Sequence, residues 1–400
     1  MFRIKDHQIL YFFIFLPFLT SMNCWIGWNG RAFFINLFCA LSMFVYVLCR
    51  RVRVVLSKER ILGLVILFFV FSYFKSGNVF TTFLHFSPLI VILTLQEEDQ
   101  VNCLECITKW MAYLLVPGFV LFVISQFISL PSLGISHIGN ALEENSSAGY
   151  GIYSNHFFYV KAVYFSDYRF RFNGPFTEPG QLATMLSLLL FANQFDFKRK
   201  EVKLLLFFNI MTLSLAGYAL TLIGFVLYRY YAGFSMKWVL VGAGCVLFVY
   251  LFATFYNGGD NMINNMIISR LEYDEERGFT GNNRSFGLIP YYYATMWSDR
   301  HLILYGYGKE TMDWLAMFGS RGTGYVYWMV SYGVIGTVVA FLFYIYNAVM
   351  AKEKKYAFLF LIFLFAVFWQ RSKPLWTSWF ICFVYGLTYA SFKVKSGKKK

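Results

Sequence analysis

Residues 110–130 read WMAYLLVPGFVLFVISQFISL, an unbroken run without a charged side chain. A helix needs roughly 20 apolar residues to cross a bilayer, and this run supplies them. Working outward, comparable runs recur near 9–27, 32–49, 61–74, 79–95, 180–195, 204–216, 218–231, 238–256, 323–349, 357–371 and 375–392. The predicted fold class is an all-α polytopic integral membrane protein with about 12 transmembrane helices. The pair 204–216 and 218–231 is the least regular. Each member is short, and Ala216-Gly217 reads either as a hairpin turn or as a kink in one longer helix.

Composition agrees with the run. Of 400 residues 58% are hydrophobic and 22% aromatic, and only 14% are charged. A soluble domain carries about 25% charged residues, and disorder requires low hydrophobicity, so both are excluded. The net charge of +14 would suggest nucleic acid in a soluble chain. Here its position gives another meaning. With the N-terminus inside and the spans alternating, 22 of the 35 Lys and Arg residues fall inside, although the outside holds the two longest loops. That is the positive-inside pattern. Nucleic acid is therefore discarded as a partner, and the Lys398-Lys399-Lys400 tail is expected to touch anionic lipid. Treating 204–231 as one helix would turn the Lys-rich stretch 351–356 and the tail outward, which favours two helices. The first span has no small-residue cleavage pattern behind it and reads as a retained helix. No repeat of 20–50 residues is visible. The expectation is one integral membrane domain over 1–400, with both termini cytoplasmic and long periplasmic loops near 131–178 and 257–321.

None of the seven Cys falls in either long loop, so no disulfide framework is expected. Cys103 and Cys106 make a single pair, read here as small residues on a short interfacial helix. A zinc site needs four ligands, and no two of His7, His85, His137, His156 and His301 stand three or four apart. No metal is predicted.

The two long loops are where binding and chemistry are expected. Their basic residues differ in kind from those inside. The outside holds nine Arg and four Lys, the inside seven Arg and fifteen Lys. A guanidinium grips phosphate or carboxylate in two places, so an Arg-rich outer face suggests an anionic ligand. Pairing of these Arg with Glu272, Asp274, Glu275, Glu276 and Asp299 is the competing explanation.

The first loop ends in YRFRFNGPFTEPGQLA, residues 168–183. Gly174-Pro175 signals a turn. Thr177 or Glu178 fits an N-cap, with Pro179 in the first helical turn, whose amides carry partial positive charge. If the strip before it is extended, Arg169 and Arg171 share one face and Tyr168, Phe170 and Phe172 the other. That arrangement is a cationic strip at headgroup depth, or an aromatic anchor with Arg snorkelling to lipid phosphates. Glu178 either accepts a proton from a hydroxyl nucleophile or caps the helix and orients Arg. In the second loop, Phe286–Trp297 reads as an amphipathic helix lying on the membrane, and Gly306-Tyr307-Gly308 is too short for a phosphate loop.

On these residues the chain resembles the Wzy-type polysaccharide polymerases, also called O-antigen or oligosaccharide repeat-unit polymerases. The likeness rests on the many-span hydropathy, on RFNGPFTEPGQLA from Arg171 onward, and on two large outer loops with Arg. The family is also described by an Arg-x10-Gly spacing in each large loop. Arg169 to Gly180 and Arg270 to Gly281 both fit, one in each loop. The spacing is common by chance, and its placement carries the weight. O-antigen ligases share the architecture but typically place a His-Asn pair before a late span. The matching stretch here, RGTGYVYW from Arg321 to Trp328, has no His.

The resemblance implies transfer of a growing glycan from undecaprenyl diphosphate to the sugar hydroxyl of another lipid-linked repeat unit. The reaction lies at the periplasmic face of a bacterial inner membrane and needs neither metal nor other cofactor. It makes O-antigen, capsule or exopolysaccharide. Implied partners are undecaprenyl-diphosphate-linked oligosaccharide, the lipid bilayer, a chain-length regulator and a flippase. Glu178, Arg169 and Arg270 are the expected catalytic residues. Arg171, Arg284, Gly180 and Gly281 are the expected substrate-binding ones. Tyr291, Tyr292 and Trp297 either stack on sugar or anchor in the membrane. The alternatives are an O-antigen ligase and a lipid-linked oligosaccharide flippase. A flippase would line its cavity with charges inside the spans, and the predicted spans hold almost none.

Overall fold

A computed structural model describes residues 7–50, 52–74, 79–137, 152–162, 170–233, 285–318, 320–322 and 324–397, with scattered positions between 242 and 279. The architecture is helical. The first five helices are α1 (Gln8–Thr20), α2 (Arg31–Cys49), α3 (Lys58–Phe74), α4 (Val79–Thr94) and α5 (Glu97–Ile124). After the first long loop come α6 (Pro179–Ala192), α7 (Lys200–Met211) and α8 (Leu215–Ala232). Scattered described residues between 242 and 255 are also helical. Three short helices follow, α9 (Ile289–Met296), α10 (Arg300–Tyr305) and α11 (Lys309–Met317), and then α12 (Tyr325–Met350), α13 (Lys354–Gln370) and α14 (Thr377–Gly397). By length and composition α2, α5 and α12 are long and apolar enough to cross a membrane.

Local chemistry explains the boundaries. Glu97, Glu98 and Asp99 fill the first turn of α5, where carboxylates offset the helix dipole. That start corrects the expected short interfacial helix: Cys103 is buried inside one continuous helix. α7 and α8 are separate helices that meet at 212–214, not at Ala216-Gly217. Leu213 takes a left-handed φ of 47°, and the Ser214 hydroxyl accepts from the Gly217 amide at 3.3 Å to cap α8. α12 bends at Gly333, whose φ is 61°. A Cβ there would lie 2.4 Å from the Leu304 carbonyl oxygen, so the bend admits the end of α10 against α12.

α6 is the centre of the bundle. All 14 of its residues are buried, and it packs against α7, α8 and α14. Small residues let α8 come close: a Cβ on Gly217 would lie 2.5 Å from the Ala183 Cβ. Asn209 Nδ2 donates to the Ser187 and Thr221 hydroxyls at 3.0 and 2.9 Å. This ties α7 to both neighbours through hydrogen bonds between otherwise apolar helices.

The bundle has two distinct ends. At one, Lys395 reaches Glu97 at 3.4 Å, Lys393 reaches Asp196 at 3.1 Å, and Lys352 pairs with the same Glu97. At the other, Trp25 N donates to the Pro175 carbonyl at 3.2 Å and Ser378 N to the Ser21 hydroxyl at 3.3 Å. The described parts of 131–178 and 285–322 carry their own structure. The first contains an antiparallel sheet of β1 (Ile135–His137), β2 (Ile152–Asn155) and β3 (Val160–Ala162), in that order. Its register pairs Ser136 with Tyr153 and Ser154 with Lys161. The second folds α9 and α11 around Ile289, Met296, Met312 and Leu315, against Val330 of α12. The expected amphipathic helix is α9, and Tyr291 on it and Trp297 behind it are exposed.

Candidate functional site

The site forms where the turn after residue 170 meets α6. Asn173 Nδ2 donates to the Val160 carbonyl at 3.0 Å, and the Val160 amide donates to the Gly174 carbonyl at 2.9 Å. Gly174 has a φ of 56°, and a Cβ there would sit 2.7 Å from Leu115 Cδ2. Residues 171–177 are all buried. Sequence alternation predicts a surface strip with Arg on one face and aromatics on the other, and the structure corrects it. Phe172 is fully buried against Phe119, Phe122 and Phe208, Phe170 is exposed, and Arg171 is itself buried. The segment is a pinned turn rather than a strand, so residue parity does not set the faces.

Glu178 is the N-cap residue of α6 and Pro179 opens the helix. The Glu178 side chain makes no capping hydrogen bond. It instead accepts from Arg371 Nη2 at 2.5 Å. Arg371 is the C-cap residue of α13. Its side chain is only 7% exposed, against 33% for Glu178. Its Nε has no hydrogen-bond partner among the described residues. Gly180 lies under this pair: a Cβ would be 3.2 Å from Arg371 Nη2, 3.2 Å from Glu178 Oε1 and 3.6 Å from Ser214 Oγ. Arg171 approaches from the turn, and its Nε donates to the Thr212 carbonyl at 3.2 Å. Thr212 stands two residues before the Ser214 that caps α8. Burial pushes the nearby Tyr159 phenol up to about 12, an effect partly offset by its hydrogen bond with Ser125.

The Arg371 guanidinium and the amides opening α6 thus bring positive charge to the Glu178 carboxylate, and Arg171 adds a second buried guanidinium on the Thr212 side. An arrangement of this kind holds an anion and stabilises negative charge that develops nearby.

Of the residues expected from sequence, Glu178 and Gly180 come together here, and Arg171 is held at the neighbouring Thr212 carbonyl. Arg169, Arg270, Gly281 and Arg284 lie outside the described residues. Arg371 was not singled out from sequence. It stood in the outside basic set, in the short Arg371-Ser-Lys-Pro374 turn at the end of an apolar run. A charged residue at a span end was the available signal, and it resembles an ordinary interfacial anchor. Scans of protein-family models, curated proteins and solved structures return no match to this chain.

Proposed function

We propose that this chain is a polysaccharide polymerase of the Wzy type in a bacterial inner membrane, with about 12 spans and cytoplasmic termini. It moves a growing glycan from undecaprenyl diphosphate to the sugar hydroxyl of a second lipid-linked repeat unit on the periplasmic side. The observation that supports this most is the part-buried Arg371–Glu178 pair over Gly180 at the N-terminus of α6, with the buried Arg171 on the neighbouring Thr212 carbonyl.

Helix length suggests the depth. With 14 residues, α6 extends about 21 Å, short of a hydrocarbon layer of about 30 Å. Its N-terminus and the turns at 172–177 and 371–376 then lie below the outer surface. Non-helical backbone at that depth is tolerated where protein buries it or where it lines a cavity.

The reaction breaks the bond between the anomeric carbon and the diphosphate oxygen, and the acceptor hydroxyl oxygen bonds to that carbon. The bonding electrons leave with the diphosphate, and the hydroxyl proton passes to a base. Charge grows on the leaving diphosphate, so fixed guanidiniums and helix amides aid the transition state more than the ground state. Arg371 and Arg171 take that role, together with Arg169 and Arg270 from the loops. Glu178 is the carboxylate that takes the proton in this reading.

Polymer analysis of a deletion strain tests the reading. Single repeat units should replace long chains on the surface lipid. Persistence of long chains would end the proposal, and loss of every surface repeat unit would favour transport instead.

A further inference from the structure

A cavity of about 440 Å³ opens at the end of the bundle opposite the Glu178–Arg371 site, where the first turn of α3 meets the start of α5 and the last turns of α12 and α14. Its size suits a small ligand or a lipid headgroup. One wall is polar. Gln100 is buried and accepts from the Thr388 hydroxyl at 2.7 Å. Arg60 also lines the cavity, and its Nη1 donates to the Leu95 carbonyl. No carboxylate stands within ion-pair distance of Arg60 among the described residues. Glu97, the nearby acid on α5, is engaged by both Lys352 and Lys395. Glu59 also lines the cavity, so two carboxylates stand against Arg60, Lys352 and the Lys395 that reaches Glu97; one positive charge is left over, and Arg60 is the cation with no ion pair among the described residues.

The opposite wall is apolar, formed by Leu93, Phe343, Val384 and Leu387. Beside the mouth, Leu62 and Val65 of α3 and Val349 and Met350 of α12 are exposed along helices of the membrane-embedded bundle. A ligand that fits both halves carries a phosphate at one end and hydrocarbon at the other. Free phosphate and sugar phosphates share the first property and lack the second.

We propose that this cavity binds the headgroup of an anionic phospholipid, with the phosphate on Arg60 and Lys352 and the acyl chains along the exposed flank of α3 and α12. Clustered Lys at this end adds a longer-range attraction for anionic lipid. The inference rests on the membrane-embedded bundle and not on the polymerase reading, so loss of either leaves the other standing.

The test uses the full chain in mild detergent, titrated with phosphatidylglycerol, with phosphatidylethanolamine of the same acyl chains, or with glycerol phosphate. Binding is read by native mass spectrometry and by the thermal unfolding midpoint. Phosphatidylglycerol should bind and raise the midpoint more than the other two. Arg60→Gln should weaken phosphatidylglycerol about tenfold, the scale of one charge-assisted hydrogen bond. Glu97→Gln changes a partly exposed residue, removes the anion that competes for Lys352 and frees both Lys, so it should tighten binding severalfold. That second variant keeps the test decisive if Arg60→Gln folds poorly. Equal response to both lipids, a glycerol phosphate response matching the lipid, or weaker binding in Glu97→Gln would each overturn the proposal.

Discussion

Arg371 Nη2 donates to Glu178 Oε1 at 2.5 Å, joining the end of α13 to the N-cap of α6 across 193 residues of sequence. Removing one member takes a charge partner from the other in a part-buried setting. Arg371→Ala is expected to destabilise the protein by about 2–3 kcal/mol. That lies at or below the 3–5 kcal/mol typical of fully buried pairs, because Glu178 keeps a third of its surface. Chain extension should also be lost. Arg371→Lys should recover most of the stability and little of the activity, since an ammonium lacks the planar fork. Thermal unfolding and glycan ladders on the same preparations measure the two effects separately.

Gly180→Ala separates packing from chemistry. Alanine favours an interior helix position over glycine by about 1 kcal/mol, so α6 itself should not weaken. The added Cβ would press on Arg371 Nη2 and Glu178 Oε1, each 3.2 Å away. The expected outcome is a stability change within about 1 kcal/mol and a severalfold fall in polymer length or rate. Unchanged turnover would show that the pair's geometry does not matter to the reaction.

Glu178→Gln and Glu178→Asp distinguish a base from a positioning group. Gln can still accept from Arg371 but cannot take a proton, whereas Asp retains the carboxylate on a shorter stem. If Glu178 is the base, Gln should abolish transfer and Asp should retain part of it. Full turnover in the Gln variant would limit Glu178 to holding Arg371.

Much of this architecture was legible because lipid leaves few options: apolar runs near 20 residues become helices. The helix start at Pro179 followed from Glu178-Pro179, and the division of 204–231 into two helices from the placement of Lys, although the break lies at 212–214 and not at Ala216-Gly217. The site was legible only in part. Glu178, Arg171 and Gly180 lie within ten residues of one another and form a readable motif. Arg371 joins them through tertiary packing of α13 against the bundle, which no local pattern encodes. Burial of Arg171 and Phe172 together was also unreadable, because alternation applies to strands and this segment is a turn pinned by Asn173 and Gly174. Likewise α5 ran past the predicted boundary, because Glu97, Glu98 and Asp99 suit a helix N-terminus as well as a loop.

Gly333→Ala should be among the most destabilising single changes in α12. The position needs a left-handed φ of 61°, and the new Cβ would meet backbone atoms of Leu304 and Gly306 at 2.4–2.7 Å. Backbone cannot swing aside as a side chain can. A loss of about 2–3 kcal/mol is expected from strain and displacement together. Because α10 packs on this bend, limited proteolysis should cut first within 300–308. Wild-type resistance in that segment would show that α10 does not depend on the bend.

Acidification should act through Asp196. Burial by itself would raise its carboxyl pKa, but the hydrogen bond and charge of Lys393, the Lys198 amide and Arg199 outweigh it and hold the group below the usual carboxylate range. A folded value below the unfolded one means the pair's contribution is complete above the ordinary carboxylate pKa and fades as pH falls through the folded value. Lys393 is 43% exposed, so the contribution is modest, about 0.5 kcal/mol. Asp196→Asn should therefore unfold slightly more easily than wild type near about pH 7, and the gap should close by about pH 3. Thermal unfolding of both proteins across that interval in the same detergent measures it. A gap that stays constant with pH would show that the Asn variant weakens packing at the Lys-rich end rather than removing an ion pair.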